Sequence, residues 1–249
     1  MTSATIEKSV SDVNISTHRP KFGIVRFPGS NCDQDAFHVC KEVLDSDVEY
    51  LWHADSSLKG SDVVILPGGF SYGDYLRTGA VARFAPIMDA VQAHAERGGM
   101  VVGICNGFQI LCEAQLLPGA LVRNSNCKFI CKYVGLRVEN AETPFTSDYF
   151  SGQTLQIPIA HGEGCYLCDD ETVQSMTQNH QILFRYSSAS GELTEESNIN
   201  GSLANIAGIA NSRFNVMGMM PHPERACEKI LGSADGRGVF TSMIKSFVQ

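Results

Sequence analysis

The chain predicts an α/β fold, a mostly parallel central sheet flanked by helices with an additional antiparallel β subregion. Three observations carry this. In the first half, short apolar runs alternate with helical patterns, which is the signature of parallel strands joined by helical crossovers. Those runs end abruptly at glycine-rich turns, the positions where parallel sheets place their ligands. In the second half, extended segments follow one another with only turns between them.

Taken in order, residues 1–20 are polar, rich in Ser and Thr, and read as a flexible arm ahead of a single domain over 21–249. Lys21 to Phe27 reads as the first strand, closed by Pro28-Gly29-Ser30-Asn31. Asp33 to Leu44 follows with Ala36, Val39, Cys40, Val43 and Leu44 on one helical face. Val48 to Trp52 is the second strand. Asp62 to Leu66 is the third, and its unbroken apolar character suits a strand covered on both faces. A helical region including Ala85 to Glu96 is stopped by Gly98-Gly99, and Met100 to Ile104 forms the fourth strand. Further on, Leu121 to Asn140, Thr154 to His161, Ile182 to Tyr186, Ile206 to Ala210 and Val216 to Met220 read as extended, and Gly238 to Val248 as a closing amphipathic helix.

Composition narrows the function. The 249 residues are 43% hydrophobic, enough for a sizeable core. A net charge of −8 with scattered Lys and Arg argues against a nucleic-acid surface or recruitment to an anionic membrane. No apolar run is long enough to cross a bilayer, and no apolar leader opens the chain. The nine cysteines therefore read as free thiols in a reducing cytoplasm. The chain has neither a G-x-x-x-x-G-K-[ST] loop nor a G-x-G-x-x-G fingerprint, so no nucleotide site is legible.

Chemistry gathers at Gly103-Ile104-Cys105-Asn106-Gly107-Phe108-Gln109. G-x-C-x-G between a strand and a helix has the form of a nucleophile elbow, with the thiol expected to face solvent beside a helix N-terminus that favours thiolate. A packed cysteine is the alternative reading of that stretch by itself. A thiol nucleophile needs a base, and the base an orienting group. Of the seven histidines, His222 is held between Pro221 and Pro223, with Glu224 two residues on and so on the same side of an extended chain. Backbone N–H groups at Gly68-Gly69 and at Asn106 can serve a developing oxyanion.

Together, L-P-G-G-F, G-I-C-N-G-F-Q and P-H-P-E resemble the triad (class I) glutamine amidotransferases, over about residues 21 to 249. Phe27 to Asp33, Gly68 to Arg77, Pro158 to Gly164 and Met219 to Ala226 narrow the resemblance to the PurQ family, glutaminase subunits of phosphoribosylformylglycinamidine synthase in purine biosynthesis. The resemblance implies a flavodoxin-like fold. It implies that Cys105 attacks the glutamine amide, that His222 oriented by Glu224 handles protons, and that a glutamyl thioester is hydrolysed. It further implies that Gln109, His161, Gly162 and Glu163 hold glutamine, with Gly68, Gly69 and Asn106 near the oxyanion. Ammonia would pass to a PurL-type synthetase subunit that uses ATP, Mg²⁺ and formylglycinamide ribonucleotide, with a small PurS-type subunit completing the assembly. No cofactor is expected in this chain. Glu163 and Arg77 are alternatively candidates for the partner interface. Two stretches depart from the family pattern: the long arm before Lys21, and Asn211-Ser212-Arg213-Phe214, which stands where a glycine-containing turn is expected.

Three other readings compete. Cys127, Cys131, Cys165 and Cys168 form two close pairs, but in extended segments whose spacing suits packed thiols better than zinc. A cysteine peptidase on a related scaffold would not carry P-H-P-E near its C-terminus. A non-catalytic binding module would have no need of all three triad residue types.

Overall fold

The structure is a computed structural model and describes residues 18–248. Most of the arm expected over 1–20 lies outside the described residues. Residues 18–20 lie against the domain, where His18 pairs with Asp62 at 3.0 Å.

Among the described residues one nine-stranded sheet forms, in the order Val48–Trp52, Phe22–Arg26, Val63–Leu66, Met100–Ile104, Val216–Met219, Ile206–Ala210, Ile182–Ser187, Ile130–Val138 and Thr154–His161. The first half of the chain supplies β1 (Phe22–Arg26), β2 (Val48–Trp52), β3 (Val63–Leu66) and β4 (Met100–Ile104). These pair in parallel, and β3 and β4 are buried along their whole length, as unbroken apolar runs require. The second half supplies β6 (Ile130–Val138), β7 (Thr154–His161), β9 (Ile182–Ser187), β10 (Ile206–Ala210) and β11 (Val216–Met219). The strand β11 joins β4 in parallel, and from there outward every pairing is antiparallel. The antiparallel subregion thus extends the same sheet. A separate two-stranded ribbon joins β5 (Ala120–Val122) to β8 (Cys165–Leu167).

Among the described residues, five α-helices complete the fold. The first, α1 (Asp33–His38), continues to Val43 with its final turns widened, Leu44 N–H bonding back to Val39. The second, α2 (Pro86–Glu96), starts on a proline at its first turn and stops at Gly98, whose φ is +91°. The third, α3 (Asn106–Glu113), leaves directly from β4. The fourth, α4 (Asp170–Gln178), is capped by Asp169, which accepts the Thr172 N–H at 2.7 Å. Sequence periodicity misses α4 because its apolar face is reduced to Val173 and Met176, of which only Met176 is buried. The fifth, α5 (Arg237–Lys245), starts one residue before the expected closing helix and ends three residues short of it.

The elbow depends on two glycines for close packing. A Cβ at Gly107 would stand 1.9 Å from the Leu66 carbonyl oxygen, and one at Gly103 would stand 2.6 Å from the Gly107 carbonyl carbon. With hydrogens there instead, α3 lies directly on the ends of β3 and β4. The modified turn before β11 adopts at Phe214 the left-handed conformation that glycine favours, φ +53°, and Asn211 Oδ1 accepts the N–H groups of both Asn215 and Val216.

Candidate active site

The expected site residues come from strand ends far apart in sequence, and the parallel register brings them together. Met219 of β11 stands opposite Ile104 of β4, and the Cys105 N–H bonds to the Met219 carbonyl at 2.8 Å. The segments leaving these two strands, Cys105-Asn106 and Pro221-His222, therefore emerge side by side. His222 is fixed further by its N–H, which bonds to the Pro158 carbonyl of β7 at 2.8 Å.

Cys105 has φ +51° and ψ −106°, a strained conformation for a residue with a Cβ. The strain is the mark of an elbow that turns the side chain away from both strand and helix. The thiol does not face open solvent as expected: the residue is only 5% exposed and its Sγ lies 3.8 Å from the Ala160 carbonyl oxygen. The end of β7 roofs the elbow, a contact between residues 55 apart that no local pattern encodes.

His222 and Glu224 form a buried pair, Nδ1 to Oε1 at 2.6 Å. Burial opposes the imidazolium, but the Glu224 carboxylate and then the nearby thiols raise the His222 pKa well above its ordinary value. With Nδ1 committed to Glu224, Nε2 is buried and has no partner at full hydrogen-bond geometry. It faces the region of the thiols, ready to take or give a proton. Glu224 Oε2 is likewise buried without a partner.

Gly68 allows this approach. A Cβ there would lie 2.7 Å from His222 Cε1 and 3.4 Å from Cys105 Cβ. Its neighbour Gly69, at φ +142°, is pinned against Ser30 in an isolated β-bridge. Among the described residues, the N–H groups of Gly68, Gly69 and Asn106 have no backbone acceptor, so they are available as donors. The Asn106 side chain does separate work. Its Oδ1 accepts the Ser71 N–H at 3.1 Å and its Nδ2 donates to Gln109 Oε1 at 2.9 Å. Thus it ties α3 to the loop after β3, where Tyr72, Asp74 and Leu76 all have positive φ.

A cavity of about 150 Å³ opens beside Cys105, walled by Gly69, Asp74, Thr78, Gln109, His161 and Glu163 among others. It is smaller than the ~300 Å³ floor for drug-sized ligands and suits a single amino acid. Of the residues expected to hold substrate, Gln109, His161, Gly162 and Glu163 all line it. Gln109 does so while donating its amide to the Glu163 carbonyl, which positions that segment. His161 is buried, and burial together with the His222 charge lowers its pKa to about 4. Its neutral ring donates from Nδ1 to Asn124 Oδ1 at 3.0 Å, an oxygen that also accepts the Gly164 N–H. Nε2 is left as a buried acceptor without a partner. Arg77, considered for an interface, is exposed and forms a two-bond ion pair with Glu113.

Sequence reading passed over Asn124, Asp74 and Thr78. Asn124 belongs to no motif, yet its side chain also donates to the His161 carbonyl at 2.9 Å. Asp74 and Thr78 lie in or next to the quoted Gly68–Arg77 stretch, and only contact reveals their direction. Thr78 Oγ1 donates to Glu163 Oε2 at 3.2 Å. Burial, then the Glu163 charge, raises the Asp74 pKa to about 6, against the opposing hydrogen bond from Asn106. The two carboxylates give the cavity a negative wall suited to an ammonium group.

Asp74→Asn therefore has two expected effects. Binding of a substrate ammonium weakens, so KM rises by about tenfold, a cost on the scale of one charge-assisted hydrogen bond. The acid limb of kcat/KM near pH 6 also disappears. Stability moves the other way. The folded state holds this proton more tightly than the unfolded chain, so wild-type stability falls as pH rises from about 4 through about 6. The asparagine variant escapes that loss and gains about 1 kcal/mol at pH 7 once solvent screening of this half-exposed group is allowed for. Steady-state kinetics and denaturant melts across pH check both. Unchanged KM with an unchanged acid limb would remove Asp74 from the site.

The model of the CobB/CobQ-like glutamine amidotransferase domain matches residues 19–240. Phosphoribosylformylglycinamidine synthase subunit PurQ of Salinibacter ruber is 56% identical over 224 residues, covering 90% of this chain and 95% of that protein. The subunit of the same name from Moorella thermoacetica is 58% identical over 224 residues, with the same coverage of each. Among solved structures, a chain of PurLQS from Thermotoga maritima is similar at 44% identity and a TM-score of 0.81, covering 92% of this chain and 99% of that one.

Proposed function

The chain belongs to the CobB/CobQ-like glutamine amidotransferase family and, within it, to the PurQ subunits, and from that premise we propose how its residues carry out glutamine hydrolysis for a purine-forming synthetase. The activity is that of a glutaminase subunit of phosphoribosylformylglycinamidine synthase. Glutamine enters the 150 Å³ cavity with its side-chain amide toward Cys105 and its ammonium toward Asp74 and Glu163. Cys105 Sγ attacks the amide carbon while its proton passes to His222 Nε2. The N–H groups of Gly69 and Asn106, with Gly68 adjacent, receive the oxyanion. His222 returns the proton to the departing nitrogen, ammonia leaves, and a glutamyl thioester remains. Water, deprotonated by the same Nε2, cleaves the thioester to glutamate and restores the thiol. Throughout, Glu224 holds the imidazole by Nδ1 and balances its positive charge.

The observation that carries this reading is the buried, unpartnered Nε2 of His222 beside a nucleophile elbow. The ammonia is passed to a PurL-type synthetase, with a PurS-type subunit in the assembly, in the cytoplasm where the thiol stays reduced. ATP and Mg²⁺ belong to the synthetase. The rim of the cavity supports docking of a partner: Phe70 and Phe129 line it and are exposed, and Tyr75 and Leu76 are exposed just after its lining residue Asp74.

Reconstitution with PurL-type and PurS-type subunits, ATP, Mg²⁺ and formylglycinamide ribonucleotide tests the assignment. Formylglycinamidine ribonucleotide should form with glutamine as the nitrogen source, and glutaminase turnover should rise at least about tenfold over the free chain. Product formed only when ammonium is added, with this chain and glutamine making no difference, would overturn it.

A further inference from the structure

The oxyanion site needs the Gly69 N–H to face the cavity, and a glycine peptide can turn either of its two polar edges that way. Because the Gly68–Gly69 bond is trans, the Gly68 carbonyl and the Gly69 N–H point to opposite sides. The carbonyl is held. Gly68 O accepts the N–H of Asn31 at 3.4 Å and that of Cys32 at 3.2 Å. Two residues on, the Phe70 N–H donates to the Gly29 carbonyl at 2.9 Å. These bonds flank Gly69 in its bridge to Ser30 and lie on the Ser30 side of the chain. The Gly69 N–H therefore points the other way, to the side on which Gly69 lines the glutamine cavity with Cys105.

We propose that the segment Gly29 to Cys32 is a positioning element that presets the oxyanion donor of Gly69 before any partner binds. Two glycines permit the close approach. A Cβ at Gly29, where φ is +90°, would stand 2.2 Å from the Phe70 carbonyl oxygen, and one at Gly69 would stand 2.8 Å from the Asn31 nitrogen. The segment is anchored at its far end, where Cys32 leads into α1 and its carbonyl accepts the Ala36 N–H at 3.1 Å. The buried Cys32 Sγ accepts from Arg225 at 3.1 Å and donates to Asn31 Oδ1 at 3.0 Å. Arg225 in turn donates its Nε–H to Asp35 at 2.9 Å and its backbone N–H to the His222 carbonyl at 3.1 Å. One element thus ties the oxyanion turn to the turn that carries the base. Rotating the Gly68–Gly69 peptide would break both hydrogen bonds at Gly68 O and aim that oxygen where the oxyanion forms. Stimulation by a partner then comes from closing the exposed rim of the cavity, not from turning this peptide.

The preset donor rests on the proposed glutaminase function, and the test tells the two apart. The probe is a glutamine analogue whose amide is replaced by a chloromethyl ketone. Its ketone oxygen takes the oxyanion place, Cys105 Sγ bonds to the methylene carbon, chloride leaves, and the thiol proton passes to His222. At saturating analogue, the limiting rate of inactivation should agree within about threefold between the free full chain and the reconstituted synthase. Gly29→Ala should lower kcat for glutamine by about 10²-fold, the scale of one lost oxyanion donor, while KM changes less than about threefold and circular dichroism shows a folded protein. A limiting rate more than about threefold higher in the synthase overturns the proposal. So does a folded Gly29→Ala that loses less than about tenfold in kcat, or whose loss lies in KM. Should Gly29→Ala not fold, the wild-type comparison decides. If the analogue leaves Cys105 unlabelled even in the synthase, the glutaminase reading itself falls, and the preset donor with it.

Discussion

Cys105→Ala is expected to abolish glutamine hydrolysis, a loss of at least about 10⁴-fold in kcat, because no other group can form the thioester. The other eight cysteines offer no substitute. Cys32 also reaches the His222 region, but it lies outside the lining of the cavity beside Cys105, with its thiol hydrogen-bonded to Asn31 Oδ1 at 3.0 Å. The substitution keeps the fold, since alanine adopts the elbow conformation no less readily than cysteine and removes only one sulfur from a well-packed place. Glutaminase assays with ammonia detection, beside far-ultraviolet circular dichroism, check this. Retained hydrolysis in a folded variant would remove Cys105 as nucleophile. Ammonia-dependent synthesis in the complex should survive, because that chemistry belongs to the synthetase.

Glu224→Gln has the second-largest expected effect, a fall of about 10³-fold in kcat. The amide has nearly the shape of the carboxylate but lacks its charge, and its NH₂ group can force the imidazole into the wrong tautomer. The His222 pKa should drop, since the Glu224 carboxylate is the main influence raising it against burial. The stability consequence has a definite sign. A histidine raised in the folded state contributes stability that is present below its unfolded pKa near 6.5 and is lost as pH rises through the folded value. Wild type should therefore lose stability from about pH 6.5 upward, and the glutamine variant should lose less over that window. Nuclear magnetic resonance titration of the imidazole, with melts at several pH values, reads both effects. A kcat within tenfold of wild type would show that Glu224 does not orient the base.

Much of the fold was legible because local periodicity carried it. The strands Met100–Ile104 and Ile206–Ala210 lie where apolar runs place them, because buried strands must be apolar along their length, and Val48–Trp52 also lies where the sequence places it although at the sheet edge only its Leu51 is buried. The helix α4 escaped because a nine-residue, mostly polar helix offers only Val173 and Met176 as an apolar stripe, too short to read as a period. The departure at Asn211 to Phe214 was visible as a missing glycine, and the structure explains it by a positive φ at Phe214 and a side-chain cap from Asn211. The site divides the same way. Cys105, His222 and Glu224 each sit in a short motif whose residue types imply their chemistry. Asn124 and Asp74 do not, because each acts through a partner 37 or more residues away.

The sequence by itself determined the residue types at the strand ends: a cysteine between two glycines, a histidine between two prolines, a glutamate two residues later. These are local matters, set by how tightly the backbone bends and which side chains it tolerates. Only the tertiary structure decided what they face. The parallel pairing of β4 with β11 brought His222 to Cys105 across more than a hundred residues, and β7 closed over the thiol that sequence reading had left facing solvent. The same convergence placed Cys32 near the His222 imidazole, over a glycine whose missing side chain leaves the room. Burial, orphaned nitrogens and shared space arise from packing between distant segments, and no pattern within one segment encodes them.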